Sequence, residues 1–130
     1  MKSLLPSNIL WVAVGGMCGA WLRYGTNSLF SHIAGETSFL TATTIENILG
    51  SFLMGILYTI LSKQSERNAR LNLFLLTGLL GSYTTYSGFM TEALLLYSDS
   101  FLLFTAYIFS QVTVGITLLL IGIRVTRKFV

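Results

Sequence analysis

Gly78-Leu79-Leu80-Gly81-Ser82-Tyr83-Thr84-Thr85-Tyr86-Ser87-Gly88-Phe89-Met90-Thr91-Glu92 is the stretch on which the reading of this chain turns. All of it but Glu92 lies in a run, Leu71 to Thr91, that holds no charge and is close to the ~20 residues a helix needs to cross a bilayer core. Its composition is nevertheless poor for a continuous helix facing lipid. Glycine lowers helix stability, and serine and threonine offer the backbone competing hydrogen bonds. A break here frees N–H and C=O groups that only protein or a wet cavity can satisfy at membrane depth. Broken membrane helices accompany ion sites, because released carbonyls suit a cation while N–H and hydroxyl groups suit an anion. The same glycines also fit an unbroken close-packing seam.

The rest of the chain supplies the membrane context. Of 130 residues, 53% are hydrophobic and 10% charged, against roughly 25% charged in soluble domains. Ser3 to Leu22 and Ser100 to Ile123 hold no charge, and Phe39 to Ser62 holds only Glu46. Four transmembrane helices follow, at about 4–29, 39–62, 71–97 and 101–123, in a single all-α membrane domain. The first is read as a helix and not as a signal peptide. Only Lys2 precedes it, and Arg23-Tyr24 is a poor cleavage context. Short connections leave no room for a soluble domain, and four helices are too few to enclose a large cavity, so oligomerisation is expected. The lone cysteine, Cys18, closes no internal disulfide and reads as a packing residue.

Charge sets orientation. Lys2, Lys63, Arg67, Arg70, Arg124, Arg127 and Lys128 fall on one side of a four-span arrangement, and Arg23 stands alone near the other. The positive-inside rule places both termini in the cytoplasm. Anionic lipid headgroups account for the net charge of +3 without a nucleic-acid partner. His32 reads as a solvated loop residue. No metal-ligand cluster, catalytic triad or phosphate loop is present, so an enzyme is not expected.

Several polar residues stand out against this apolar background. Thr43, Asn47 and Ser51 recur every fourth residue along the second span. Beside them, Glu46 costs ~2.5–3.5 kcal/mol or more at membrane depth unless it is protonated, paired or wet. Arg23 is its nearest candidate partner, and otherwise snorkels or forms an electropositive mouth for anions. Gly15 and Gly19 make a small-xxx-small packing surface. Tyr107, Ser110, Thr113 and Thr117 share a face of the last span, either a water-filled path or helix glue. Glu92 reads as a channel-mouth residue.

Three segments resemble motifs of the small fluoride channels, the CrcB or Fluc family. Gly15-Gly16-Met17-Cys18-Gly19-Ala20-Trp21-Leu22-Arg23-Tyr24 is similar to the family's GGxxGAxxRY, Glu46-Asn47-Ile48-Leu49-Gly50-Ser51-Phe52 to its VNxxGSF, and Gly81 to Phe89 to its GGxTTFSTF. The resemblance spans nearly the whole chain. It implies an antiparallel dimer of four-helix subunits, two fluoride pores along the subunit interface, and a central structural Na⁺ held by the backbone carbonyls of Gly81 and Thr84. Asn47, Thr85, Tyr86 and Phe89 match pore positions, with Ser51 and Ser110 as further hydroxyls. Arg23 and Glu92 match the charged positions of the vestibules, where Glu46 also falls.

Three departures accompany the resemblance. Tyr86 replaces a phenylalanine and adds a donor. Glu46 replaces an apolar residue beside the pore asparagine. The basic bias points to fixed insertion, and hence to a heterodimer with an oppositely oriented homologue in place of the antiparallel homodimer that a chain inserting both ways forms. The expected function is passive fluoride export across the cell membrane. The alternatives are a small drug/proton antiporter, whose key carboxylate sits on the first helix where this chain has none, and a non-conducting partner subunit of a heterodimeric channel.

Overall fold

A computed structural model describes residues 5–33, 35, 38–62 and 69–130. The described residues are helical almost throughout. Lys2, Lys63 and Arg67, three of the basic residues behind the predicted orientation, lie outside them. Helix α1 runs Leu5–Ile33 and α2 Ser38–Ser62. Helix α3 (69–83) opens as an α-helix at Ala69–Asn72, widens to π-helical turns over Leu73–Leu80, and closes with Gly81–Tyr83. Helices α4 and α5 cover Tyr86–Asp99 and Phe101–Arg127. Nothing in the sequence announced the π-helical turns. They persist only where the surrounding packing fits the wider helix; here α3 lies along α1 through much of its length.

The molecule is an all-helical membrane protein. Leu40–Ser62 and Phe101–Arg127 are each long and apolar enough to cross a bilayer. Large apolar side chains such as Trp21, Leu102, Tyr86 and Phe109 face outward. A water-soluble monomer rarely shows apolar surface on this scale. Cys18 is exposed as well, against the packing role expected of it.

Two glycine seams hold the helices together. A Cβ at Gly15 or Gly19 would come within 3.0 Å of the carbonyl oxygens of Phe74 and Leu79, so the backbones of α1 and α3 all but touch. Gly55 and Gly122 do the same for α2 and α5, against the carbonyls of Leu119 and Phe52. Lipid tails are as apolar as leucine, so helices in a membrane gain little from burying it against each other. Close backbone approach, with its dense dispersion contacts, provides the attraction instead. Four helices packed this closely leave a thin interior. The largest fully buried side chains are Leu80 and, unusually, the carboxylic acid Glu46.

Candidate functional site

Helical geometry stops at Thr84 (φ −76°, ψ 152°) and Thr85 (φ −139°, ψ 115°) and resumes at Tyr86. Asn47 on α2 holds this extended pair. Its Nδ2 donates to the Thr85 carbonyl (3.1 Å), and its Oδ1 accepts from the Thr85 N–H (2.9 Å). Thr85 in turn caps α4, its hydroxyl accepting from the Gly88 N–H at 3.0 Å, the usual work of a threonine at a helix start. These bonds redirect two donors. In an unbroken helix the Thr85 N–H would close on Gly81 O, and the Gly88 N–H on Thr84 O. With both N–H groups bound to side chains, the Gly81 and Thr84 carbonyls are released from the helical ladder.

Beside the extended pair lies a cavity of about 390 Å³ lined by Asn47, Ser51, Thr84, Thr85, Tyr86 and Phe89, with Gly50, Met54 and Leu119. The Tyr86 and Phe89 rings are 6.0 Å apart and tilted by 55°. Phe89 continues to Tyr107 on α5, with ring centroids 5.5 Å apart. The lining thus combines an amide, several hydroxyls and tilted rings, whose edges carry the positive part of the aromatic quadrupole. Tyr86 is 76% exposed and Gly81 is exposed, so this side of the subunit is open.

A second cleft, about 430 Å³, is lined by Arg23, Asn27, Thr43, Glu46, Thr85, Ser87, Gly88, Thr91, Glu92 and Leu95. Thr85 lines both spaces. The two carboxylates in this cleft are treated differently. Glu92 is buried, with Thr43 donating to its Oε1 and Tyr107 to its Oε2. Glu46 accepts from Asn27 Nδ2 through Oε1 at 2.7 Å, while its buried Oε2 has no partner among the described residues.

The structure therefore gathers Asn47, Ser51, Thr84, Thr85, Tyr86 and Phe89 in one cavity, and Arg23, Glu46 and Glu92 in one cleft. Ser110 stands apart. It is exposed on α5, its hydroxyl donating to the Tyr107 carbonyl (2.9 Å). Thr117, on the same predicted face, is bonded within its own helix too. Glu92, read from the sequence as a mouth residue, is buried because α2 and α5 both supply donors to it. The amide that reaches Glu46 belongs to Asn27, one turn beyond Arg23 and itself bonded to the Arg23 carbonyl at 3.0 Å. Sequence reasoning passed over Asn27. The signal available was its position on the same helical face as Arg23, at the i+4 spacing. The bonding of Tyr107 to Glu92 and of Gln111 to Thr44 links distant segments, and no local pattern marks it.

An interrupted helix whose extended residues line a cavity with an amide and several hydroxyls is similar to the broken helices of ion-binding membrane proteins. The chain belongs to the CrcB family. The family described as "CrcB-like protein, Camphor Resistance (CrcB)" matches residues 10–123. Among its relatives, the fluoride-specific ion channel FluC of Oceanobacillus iheyensis is 40% identical over 118 residues, covering 90% of this chain and 89% of that protein. The protein of the same name from Cereibacter sphaeroides is 38% identical over 122 residues, 93% of this chain and 95% of its own length. The one from Shewanella piezotolerans is 43% identical over 96 residues, covering 74% and 76%.

Proposed function

We propose that this chain is a fluoride-specific channel subunit that lets fluoride leave the cell passively across the plasma membrane. The observation that carries this reading is the cavity in which Asn47, Ser51, Thr85, Tyr86 and Phe89 converge beside the extended Thr84–Thr85 pair. The relatives named as fluoride channels support it. Fluoride is small and strongly hydrated, so a path for it must replace lost water with donors. Hydroxyls, one Asn47 N–H left over from its bond to Thr85, and ring edges offer such replacements. Weak sites in series permit both binding and release. Asn47 thereby has two tasks: it offers a donor to the path and fixes the backbone beside it.

The carbonyls of Gly81 and Thr84, released from the helical ladder, are oxygen donors of the kind a hard cation takes. They fit a structural Na⁺ at the interruption, where its charge would offset the carbonyl dipoles and join two subunits. The open side at Gly81 and Tyr86 favours a second four-helix subunit packed antiparallel, which completes the cavity and hides these groups from lipid. Arg70, Arg124, Arg127 and Lys128 keep the basic bias on one side, which favours both termini in the cytoplasm. A chain fixed in that orientation pairs with an oppositely oriented homologue, and a chain that inserts both ways pairs with itself.

Fluoride efflux from liposomes holding the purified chain, alone and with such a homologue, is the test. Rapid efflux without a proton gradient is expected. Proton-coupled uptake of hydrophobic cations in place of fluoride efflux refutes the channel reading. Tags on both termini, found equally on both membrane faces, refute fixed orientation.

A further inference from the structure

Glu46 lies where a carboxylate is least expected. It is fully buried on an apolar transmembrane helix, directly beside Asn47 in sequence. Its Oε1 is satisfied by Asn27, but Oε2 has no partner among the described residues. An unmatched buried oxygen carries a desolvation penalty that a native structure rarely leaves standing. The missing partner is therefore informative, and the protonation state decides what it is. Ionised, Oε2 lacks a donor; protonated, it lacks an acceptor.

One cation faces two carboxylates in this cleft. The charged side chains lining the cleft with Glu46 are Arg23 from α1 and Glu92 from α4. Tyr107 of α5 faces Glu92, and Tyr83 of α3 shares a long hydrogen bond with Thr26. Glu92 accepts from two hydroxyls, so each of its oxygens has a partner. With both carboxylates ionised, Arg23 would face two negative charges and Glu46 would have one donor, Asn27, for its two oxygens; two carboxylates in one site rarely ionise together. With Glu46 ionised, the cleft would also repel any anion approaching Thr85.

Resting on the fluoride reading above, we infer that Glu46 is a hydrogen-bond donor on the anion path: its carboxyl is protonated, and Oε2–H is offered to a fluoride ion drawn into the cleft by Arg23. The proton stays on the carboxyl and fluoride passes as the anion. Fluoride is a compact, strong acceptor, so O–H···F⁻ favours it over larger halides. Thr85, which lines both spaces, is the next hydroxyl on the way to Asn47 and the rings. Ser87 and Thr91 add further hydroxyls to the same wall.

The test is fluoride efflux from liposomes at a series of pH values from about 6 to about 9, with protein-free vesicles giving the leak. The wild-type rate is expected to fall about tenfold per pH unit once the carboxyl ionises. Glu46→Gln keeps a donor and an acceptor for Asn27 but no longer titrates, and its rate is expected to stay flat. A flat wild-type profile, or an equal alkaline fall in Glu46→Gln, overturns the inference while leaving the channel reading intact. A wild-type chain that passes no fluoride at any pH, with or without a homologous partner, overturns the channel reading. Infrared difference spectra, fluoride minus chloride, judge Glu46 independently of flow and of whether the variant folds. The wild type is expected to show a shifted protonated-carboxyl stretch that persists in Glu92→Gln. Its absence overturns the inference.

Discussion

Replacing Asn47 by alanine removes both hydrogen bonds that hold Thr85 in its extended conformation, at 2.9 and 3.1 Å. The Thr85 N–H and C=O then lose their partners together, and extended geometry prevents either from closing a helical bond with its neighbours. A buried polar group left unpaired costs about 1–3 kcal/mol. Thr85 is half-buried beside a cavity, which puts each loss in the lower half of that range and the pair at about 2–4 kcal/mol. Ser51→Ala is the matched control. Ser51 lines the same cavity, but its hydroxyl bonds the Asn47 carbonyl of its own helix at 2.7 Å, and that carbonyl keeps its helical environment without it. Its loss should stay within about 0.5 kcal/mol. Unfolding in detergent titrated with sodium dodecyl sulfate, followed by far-ultraviolet circular dichroism, measures both. Efflux should collapse in Asn47→Ala. An Asn47→Ala chain as stable as wild type, or a Ser51→Ala chain destabilised as much, would refute the assignment of Asn47 as the backbone clamp.

Gly19→Val should separate α1 from α3, because any Cβ there meets the Leu79 backbone; overpacking of this kind costs about 1–3 kcal/mol or more. Gly25→Ala on the same helix meets nothing within 4 Å and should be neutral or stabilising, so equal denaturation midpoints would count against the seam. Tyr107→Phe leaves one Glu92 oxygen without its donor and should lower stability by about 1.5–3 kcal/mol in the same titration. Thr85→Val removes the cap on Gly88 N–H at a cost of about 1 kcal/mol and should also slow fluoride efflux. Replacing Na⁺ by a large organic cation throughout purification should lower the thermal midpoint and release subunits in cross-linking. An unchanged midpoint would count against a cation at Gly81 and Thr84.

Much of the candidate site was legible because it rests on residue chemistry at fixed positions. Hydroxyls and glycines from Gly81 to Gly88 cannot make a good lipid-facing helix, whatever surrounds them, and a carboxylate at Glu46 is costly in any apolar span. What local chemistry cannot supply is the partner. Asn47 presents two donors and an acceptor, and nothing in its own segment says that they grip Thr85, which lies 38 positions further along the chain. Ser110 lies apart from that cavity, its hydroxyl donating to a carbonyl of its own helix, and the residue type alone does not reveal this placement.

The class of this protein is written in its residue order: apolar lengths fix the helices, missing charges put them in a membrane, and small residues mark where backbones meet. Which residues act together depends on how the helices pack. Hydrogen bonds from α2 hold Thr85 extended where the helix is interrupted, and α2 and α5 supply the hydroxyls that partner the buried Glu92. The widened turns of α3 lie where it packs along α1. The difference is physical. Hydrophobicity and propensity are properties of single segments, whereas satisfying a buried polar group requires a second segment whose distance in space the chain order does not reveal.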